Sequence, residues 1–195
     1  MRVAVVGAGA IGGFIAAMLA RHGTDVAVVA RGEHLSAIAR DGLAVHSEAG
    51  DFTVQVPAAA DLRELGAFDI VLCAVKAHQL AALLPQLKPA ILSGATLVPM
   101  LNGFPFWYFA DRTLRAVDPD GSLHRAVPRE QIVGCVIHAS GHIPKPGTVH
   151  QSGGMNYILG DPDGAPSARG CRRLRHASGA TRRSRRDDDQ ARPLA

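Results

Sequence analysis

The 195 residues are 47% hydrophobic and 19% charged, with six Phe, two Tyr and one Trp, a mixture that can bury a core and excludes wholesale disorder or a fibrous repeat. The formal net charge of +4 suggests an anionic partner, but it is unevenly spread: residues 1–165 hold 12 Lys/Arg against 14 Asp/Glu, and residues 166–195 hold nine Arg against three Asp. The basicity belongs to the last thirty residues, so it gives the folded part no nucleic-acid or membrane partner.

Val3, Ala4, Val5 and Val6 form a β-branched run closed by Gly7, the pattern of a strand buried on both faces. Residues 10–22 predict a helix with Ile11, Phe14, Ile15, Met18 and Leu19 on one face. His22-Gly23 supplies its stop. Residues 25–30 predict a second buried strand, completing a strand–helix–strand unit of a parallel sheet. Residues 3–20 carry no charge and superficially resemble a signal peptide or short membrane span. Gly7, Gly9, Gly12 and Gly13 interrupt that run and no A-x-A cleavage site follows, so a cytoplasmic protein is expected. Cys73, Cys135 and Cys171, odd in number and far apart, offer no disulfide framework or paired metal ligands and fit a reducing compartment.

Residues 33–40 predict a short helix ended by Gly42, and residues 43–47 and 52–56 two strands flanking a turn at Ala49-Gly50. A third buried strand is expected at 69–74, then a helix at 77–87 that Pro89 terminates. Residues 96–100 predict another strand leading into Leu101-Asn102-Gly103. Short strands are expected near 132–138, 147–151 and 155–159, the last two separated by Ser152-Gly153-Gly154. Helices thin out there, so the second half reads as the antiparallel edge of a mixed sheet. After Gly160 comes a turn-and-linker composition. From 167 to 195 the only large aliphatics are Leu174 and Leu194, and such a segment is expected to be disordered.

Gly7-Ala8-Gly9-Ala10-Ile11-Gly12 matches G-x-G-x-x-G between a predicted strand and a predicted helix, the context that gives this pattern its meaning. Gly7 permits the tight turn, Gly9 lets a pyrophosphate approach the backbone, and Gly12 allows close helix–strand packing. The free N–H groups at the helix start bind the anion. The alternative is a merely tight strand-to-helix turn. An NAD site would place Asp or Glu at the end of the second strand; here Ala30-Arg31 stands there. A guanidinium grips a 2′-phosphate bidentately, so NADP is favoured over a plain solvated arginine. Lys76 and Asn102 follow the next two strands, where a cofactor in such a fold would lie. From pattern alone a role on phosphate or carboxylate and a plain surface or turn position stay equally open.

GAGAIGG at 7–13, Arg31, CAVKAHQ at 73–79, LNG at 101–103 and GCVIHASGHIPKPGTVHQSGG at 134–154 together resemble the ketopantoate reductase (2-dehydropantoate 2-reductase) family over roughly residues 1–163. The resemblance implies a Rossmann-type α/β fold, doubly wound and mostly parallel, with antiparallel edge strands near the C-terminal end. It implies one NADP-binding domain at 1–163 and leaves an Arg-rich tail at 164–195. Gly7 to Gly12 would hold the pyrophosphate and Arg31 the 2′-phosphate. Lys76 would lie near cofactor and active site, Asn102 would contact nicotinamide ribose and substrate, and Ser140 would touch the cofactor. The activity implied is NADPH-dependent reduction of a 2-keto acid, 2-dehydropantoate, to pantoate on the route to coenzyme A. The alternatives are a non-catalytic NADP-binding remnant and a reductase of another 2-keto acid.

Family members continue into a helical second domain that supplies a proton-donating lysine and an acidic substrate ligand. No lysine follows Lys145 in this sequence, and a positioned general acid is typically worth about 10²–10⁴-fold, so a catalytically incomplete chain is expected. The abrupt switch to Arg-rich text after 165 suggests a frameshifted or truncated end, which sequencing the encoding DNA tests; no alternative frame restoring a helical domain would sink it. Phe104, Phe106, Trp107, Tyr108 and Phe109 either shape a substrate mouth or pack internally. His138, His142 and His150 read as strand and loop positions, with no metal site expected, because Gly141, Pro144 and Pro146 exclude a helix that would align the first two.

Overall fold

The computed structural model describes residues 1–48 and 50–162. The expected disordered tail, its proposed origin and Cys171 lie outside the described residues.

β1 (Arg2–Val6), α1 (Ala10–Arg21) and β2 (Asp25–Val29) realise the expected strand–helix–strand unit. α2 (Gly32–Asp41), β3 (Leu43–His46), β4 (Phe52–Val54) and β5 (Ala58–Ala59) follow. After a 3₁₀ turn at Leu62–Leu65 come β6 (Ile70–Cys73), α3 (Ala77–Leu80), α4 (Leu84–Leu92) and β7 (Thr96–Pro99). Five strands form a parallel sheet in the order β5-β2-β1-β6-β7. The chain winds outward from β1 to β5, then crosses back to β6 on the other side of β1. That reversal makes the carboxyl ends of β1 and β6 a topological switch point, where open α/β sheets bind ligands.

The continuous apolar strands serve two cores, because successive side chains point to opposite faces. One face carries Val3, Val5, Val28, Ile70 and Leu72 against Phe14 and Ala17 of α1. The other carries Ala4, Val6, Val29 and Val71 against Leu80, Leu87 and Ile91. Each fully buried Leu or Ile contributes about 1.5–3 kcal/mol. The buried face of α1 is Gly12, Gly13, Phe14, Ala16 and Ala17, not the larger stripe expected. Ile15, Met18 and Leu19 pack only partly, because small residues let the helix approach sheet on both sides: a Cβ at Gly13 would stand 2.9 Å from Val149 Cγ2.

Two expectations are corrected. Pro89 does not end the helix after β6; it lies inside α4, which runs on to Leu92. The break is set by Pro85, which falls in the first turn of α4, where its missing N–H has no intrahelical partner to lose, and a 3₁₀ turn at Ala81–Leu83 precedes it. The strands expected at 132–138, 147–151 and 155–159 are two long ones, β8 (Gly134–Lys145) and β9 (Thr148–Gly160), in a single hairpin. A pairing irregularity between His138 and Gly141 lets β9 continue through Gly153 and Gly154, the latter at φ +65°.

This hairpin joins β3 and β4 in a second sheet, β4-β3-β9-β8, in which β3 and β9 run parallel. It continues the edge of the first sheet: Val133 N–H donates to Leu97 O at 2.9 Å and Leu101 N–H to Cys135 O at 3.1 Å. Between β7 and β8 lies α5 (Ser122–Ala126), capped by the fully buried Asp118 carboxylate, which accepts from Leu123 N–H at 3.1 Å and His124 N–H at 2.9 Å. Among the described residues no helix is long and apolar enough to cross a membrane.

Candidate functional site

The parallel register puts the ends of β2, β1, β6 and β7 at one edge. Neighbouring strands lie about 4.8 Å apart, so Arg31, the Gly7–Gly12 loop, Lys76 and Asn102 form a row about 15 Å long.

The loop is built around its glycines. Gly7 sits at φ +95°, where a side chain is strained, and its N–H and that of Ala8 both donate to Val29 O at 3.0 Å. A Cβ on Gly12 would collide with the Gly7 carbonyl and lie 2.8 Å from Ala74 Cβ. Among the described residues a Cβ on Gly9 would meet nothing within 4 Å, so they leave the space in front of the helix start open. Gly9 caps α1 without a side-chain bond, and no acidic residue occupies the first turn. The N–H groups of the first turn, which includes Ala10 and Ile11, and the positive end of the helix dipole therefore face that space, and among the described residues no acidic side chain in that turn competes for them.

Arg31 caps α2 in extended conformation, exposed, and its guanidinium has no carboxylate partner among the described residues. Lys76 is exposed at the start of α3. Its backbone N–H donates to Gln79 Oε1 at 3.0 Å and its carbonyl accepts from Gln79 N–H at 2.9 Å, which fixes the backbone and leaves the ammonium in solvent.

The Asn102 amide makes two bonds to β8: Nδ2 donates to Ile137 O and Oδ1 accepts from Ile137 N–H, each at 2.8 Å. It stands in for a strand neighbour and locks β8 against the end of β7. One N–H and one lone pair remain for a ligand. Ser140 is exposed on β8, and its hydroxyl donates to Gly153 O at 3.1 Å. The adjacent Gly141 lies against α1, a Cβ there standing 3.6 Å from Ala10 Cβ, so Ser140 is carried over the start of the helix. The structure thus gathers every candidate at one end of the sheet.

The aromatic cluster divides. Phe106 and Trp107 are core, whereas Phe104 and Tyr108 are 65% and 54% exposed. Beside Asn102 opens a cavity of about 600 Å³ lined by Leu101, Pro105, Tyr108, Val136, Ile158 and Leu159, among others. His142 and His150 oppose each other across the hairpin with ring centroids 4.8 Å apart, while His138 pairs with Asn156. No group of three His, Cys, Asp or Glu among the described residues is arranged to hold a metal ion.

Sequence reasoning missed His34, whose ring bonds to Ala8 and Gly147; nothing local to residue 34 signals a partner 113 positions away.

Burial pushes the thiol of Cys73 up to about 12 and that of Cys135 up to about 11. At pH 8 that leaves on the order of one thiol in ten thousand ionised at Cys73 and one in a thousand at Cys135. Iodoacetamide at pH 8 is expected to leave both unmodified in the folded chain and to label both in denaturant, as read by peptide mass mapping. Rapid labelling of Cys73 in the native protein would contradict this burial.

The family described as ketopantoate reductase PanE/ApbA matches residues 3–164. A 2-dehydropantoate 2-reductase of Mesorhizobium japonicum is 38% identical over 177 residues, covering 87% of this chain and 54% of that protein. A crystal structure from Ralstonia solanacearum assigned as a ketopantoate reductase superposes with a TM-score of 0.83 at 35% identity, covering 91% of this chain and 57% of that one. A complex of D-mandelate dehydrogenase with NADH and anilino(oxo)acetate shares the fold, with a TM-score of 0.74 at 22% identity over 92% of this chain and 54% of that one. This chain spans about half the length of the curated relatives it matches. With the family model matched over residues 3–164 and the sheet topology shared with solved members, the chain belongs to the ketopantoate reductase family.

Proposed function

We propose that residues 1–163 form an NADP-binding domain and that the chain serves NADPH-dependent reduction of a 2-keto acid, 2-dehydropantoate, to its 2-hydroxy acid. The observation that carries the reading is the glycine loop at Gly7–Gly12, with no acidic residue in the first turn of α1, flanked by an Arg31 that has no carboxylate partner among the described residues. When bound, NADPH supplies the hydride.

The chain's own residues hold and orient. The Gly9, Ala10 and Ile11 segment takes the pyrophosphate at the helix start, and Arg31 takes the 2′-phosphate. Lys76 offers a cation at the switch point to phosphate or substrate carboxylate. Asn102, steadied by Ile137, offers its remaining N–H and lone pair to the nicotinamide ribose and substrate, and Ser140 closes over the helix start. A reducing cytosol is part of this reading, supported by two buried free thiols in separate clusters.

Reduction of a ketone also needs a proton for the developing alkoxide, and no described side chain stands out as that donor. The test is NADPH oxidation followed at 2-dehydropantoate saturation. The 195-residue chain is expected to turn over about 10²–10⁴-fold more slowly than a full-length relative. Turnover equal to that of the relative would show that these 195 residues do supply the proton donor. The apolar cavity beside Asn102 favours a second reading, a bulkier apolar 2-keto acid, and an aryl 2-keto acid in the same assay separates the two.

A further inference from the structure

His34 lies in the first turn of α2, half-buried, three residues after Arg31. Its Nε2 is 2.7 Å from Ala8 O, and its Nδ1 is 3.0 Å from the backbone nitrogen of Gly147. A backbone N–H only donates, so Nδ1 is the bare nitrogen and Nε2 carries the hydrogen that goes to the Ala8 carbonyl. One imidazole thereby ties the dinucleotide loop, α2 and the β8–β9 turn together. The turn is seated independently: Ala44 N–H donates to Gly147 O at 2.9 Å, and a Cβ on Gly147 would stand 2.9 Å from Ala37 Cβ.

The bond to Ala8 O bears on the ligand through the geometry of one peptide plane. The Ala8 carbonyl and the Gly9 N–H belong to the same trans peptide and point in opposite directions. Ala8 N–H is already held by Val29 O at 3.0 Å. With its carbonyl held as well, the Gly9 N–H faces away from His34. The space around Gly9 is the part of the loop that a Cβ would find open.

We propose that His34 is a positioning residue for the dinucleotide: by holding the Ala8 carbonyl from a hairpin-anchored ring, it presets the Gly9 N–H for a ligand diphosphate. The role rests on the dinucleotide reading above. It differs from that of Arg31 because the diphosphate is common to NADPH and NADH, whereas the 2′-phosphate is not.

The test compares His34→Leu and His34→Gln in the full chain by fluorescence titration with NADPH and NADH, with the thermal midpoint of the unliganded proteins alongside. His34→Leu is expected to weaken both dinucleotides equally, by about tenfold, the scale of one oriented hydrogen bond. His34→Gln retains an adjacent donor and acceptor and is expected to recover to within about threefold of wild type, a rescue that loss of packing alone would not produce. Equal weakening by both variants, or wild-type affinity in His34→Leu, would overturn the proposal while leaving the dinucleotide reading intact. Absence of binding in wild type would instead overturn that reading. Should His34→Leu fail to fold, ¹H–¹⁵N correlations of the wild-type imidazole still decide: a protonated Nε2 with a bare Nδ1 is expected, and the opposite tautomer overturns the clamp.

Discussion

Arg31→Ala weakens NADPH binding by about 10- to 100-fold and leaves NADH within about twofold of wild type. A hydrogen bond to a charged group is worth about 1.5–3 kcal/mol, and among the described residues the Arg31 guanidinium has no carboxylate to release before it takes a phosphate. Arg31 is exposed, so the loss shrinks as salt is added. The measurement is a pair of titrations, one with each dinucleotide, at low and high ionic strength. Equal losses for both would show that Arg31 does not read the 2′-phosphate.

Gly12→Val is expected to cost more, in binding and stability together. The new Cβ would collide with the Gly7 carbonyl and with Ala74, backbone and strand atoms that cannot swing aside. Overpacking of this kind costs about 1–3 kcal/mol, a fall in thermal midpoint of roughly 3–10 °C for a domain of this size. Binding of both dinucleotides falls with it, because the displaced Gly7 carries the loop. Gly9→Ala separates the two effects. Its Cβ meets no atom of the described residues within 4 Å, so the midpoint stays near wild type while the methyl stands where the diphosphate would approach. A Gly9→Ala protein that binds normally, or a Gly12→Val protein as stable as wild type, would contradict the loop assignment.

The strand–helix–strand unit and its glycines were legible in the sequence because they are local. Val3 to Val6 bury both faces, and the spacing of Gly7, Gly9 and Gly12 answers to one turn and one helix start. Arg31 was legible for the same reason, as the residue just beyond the end of the second strand. What escaped depends on distant partners. Pro85 and Pro89 look alike as helix breakers, yet α4 holds both, Pro85 in its first turn and Pro89 in its interior. Ser152-Gly153-Gly154 reads as a turn between strands, yet Ser140 Oγ and Gln151 Nε2 hold the Gly153 and Gly154 carbonyls and carry β9 through. Asn102 was placed correctly at a strand end, but its two bonds to Ile137 lie 35 residues away, so the lock on β8 left no local trace.

The most direct test of the whole account is titration of the wild-type 195-residue chain with NADPH and with NADH, followed by protein or nucleotide fluorescence. Saturable binding of NADPH, at least about tenfold tighter than that of NADH, is the predicted result. No saturable binding of either dinucleotide, or tighter binding of NADH, would contradict it.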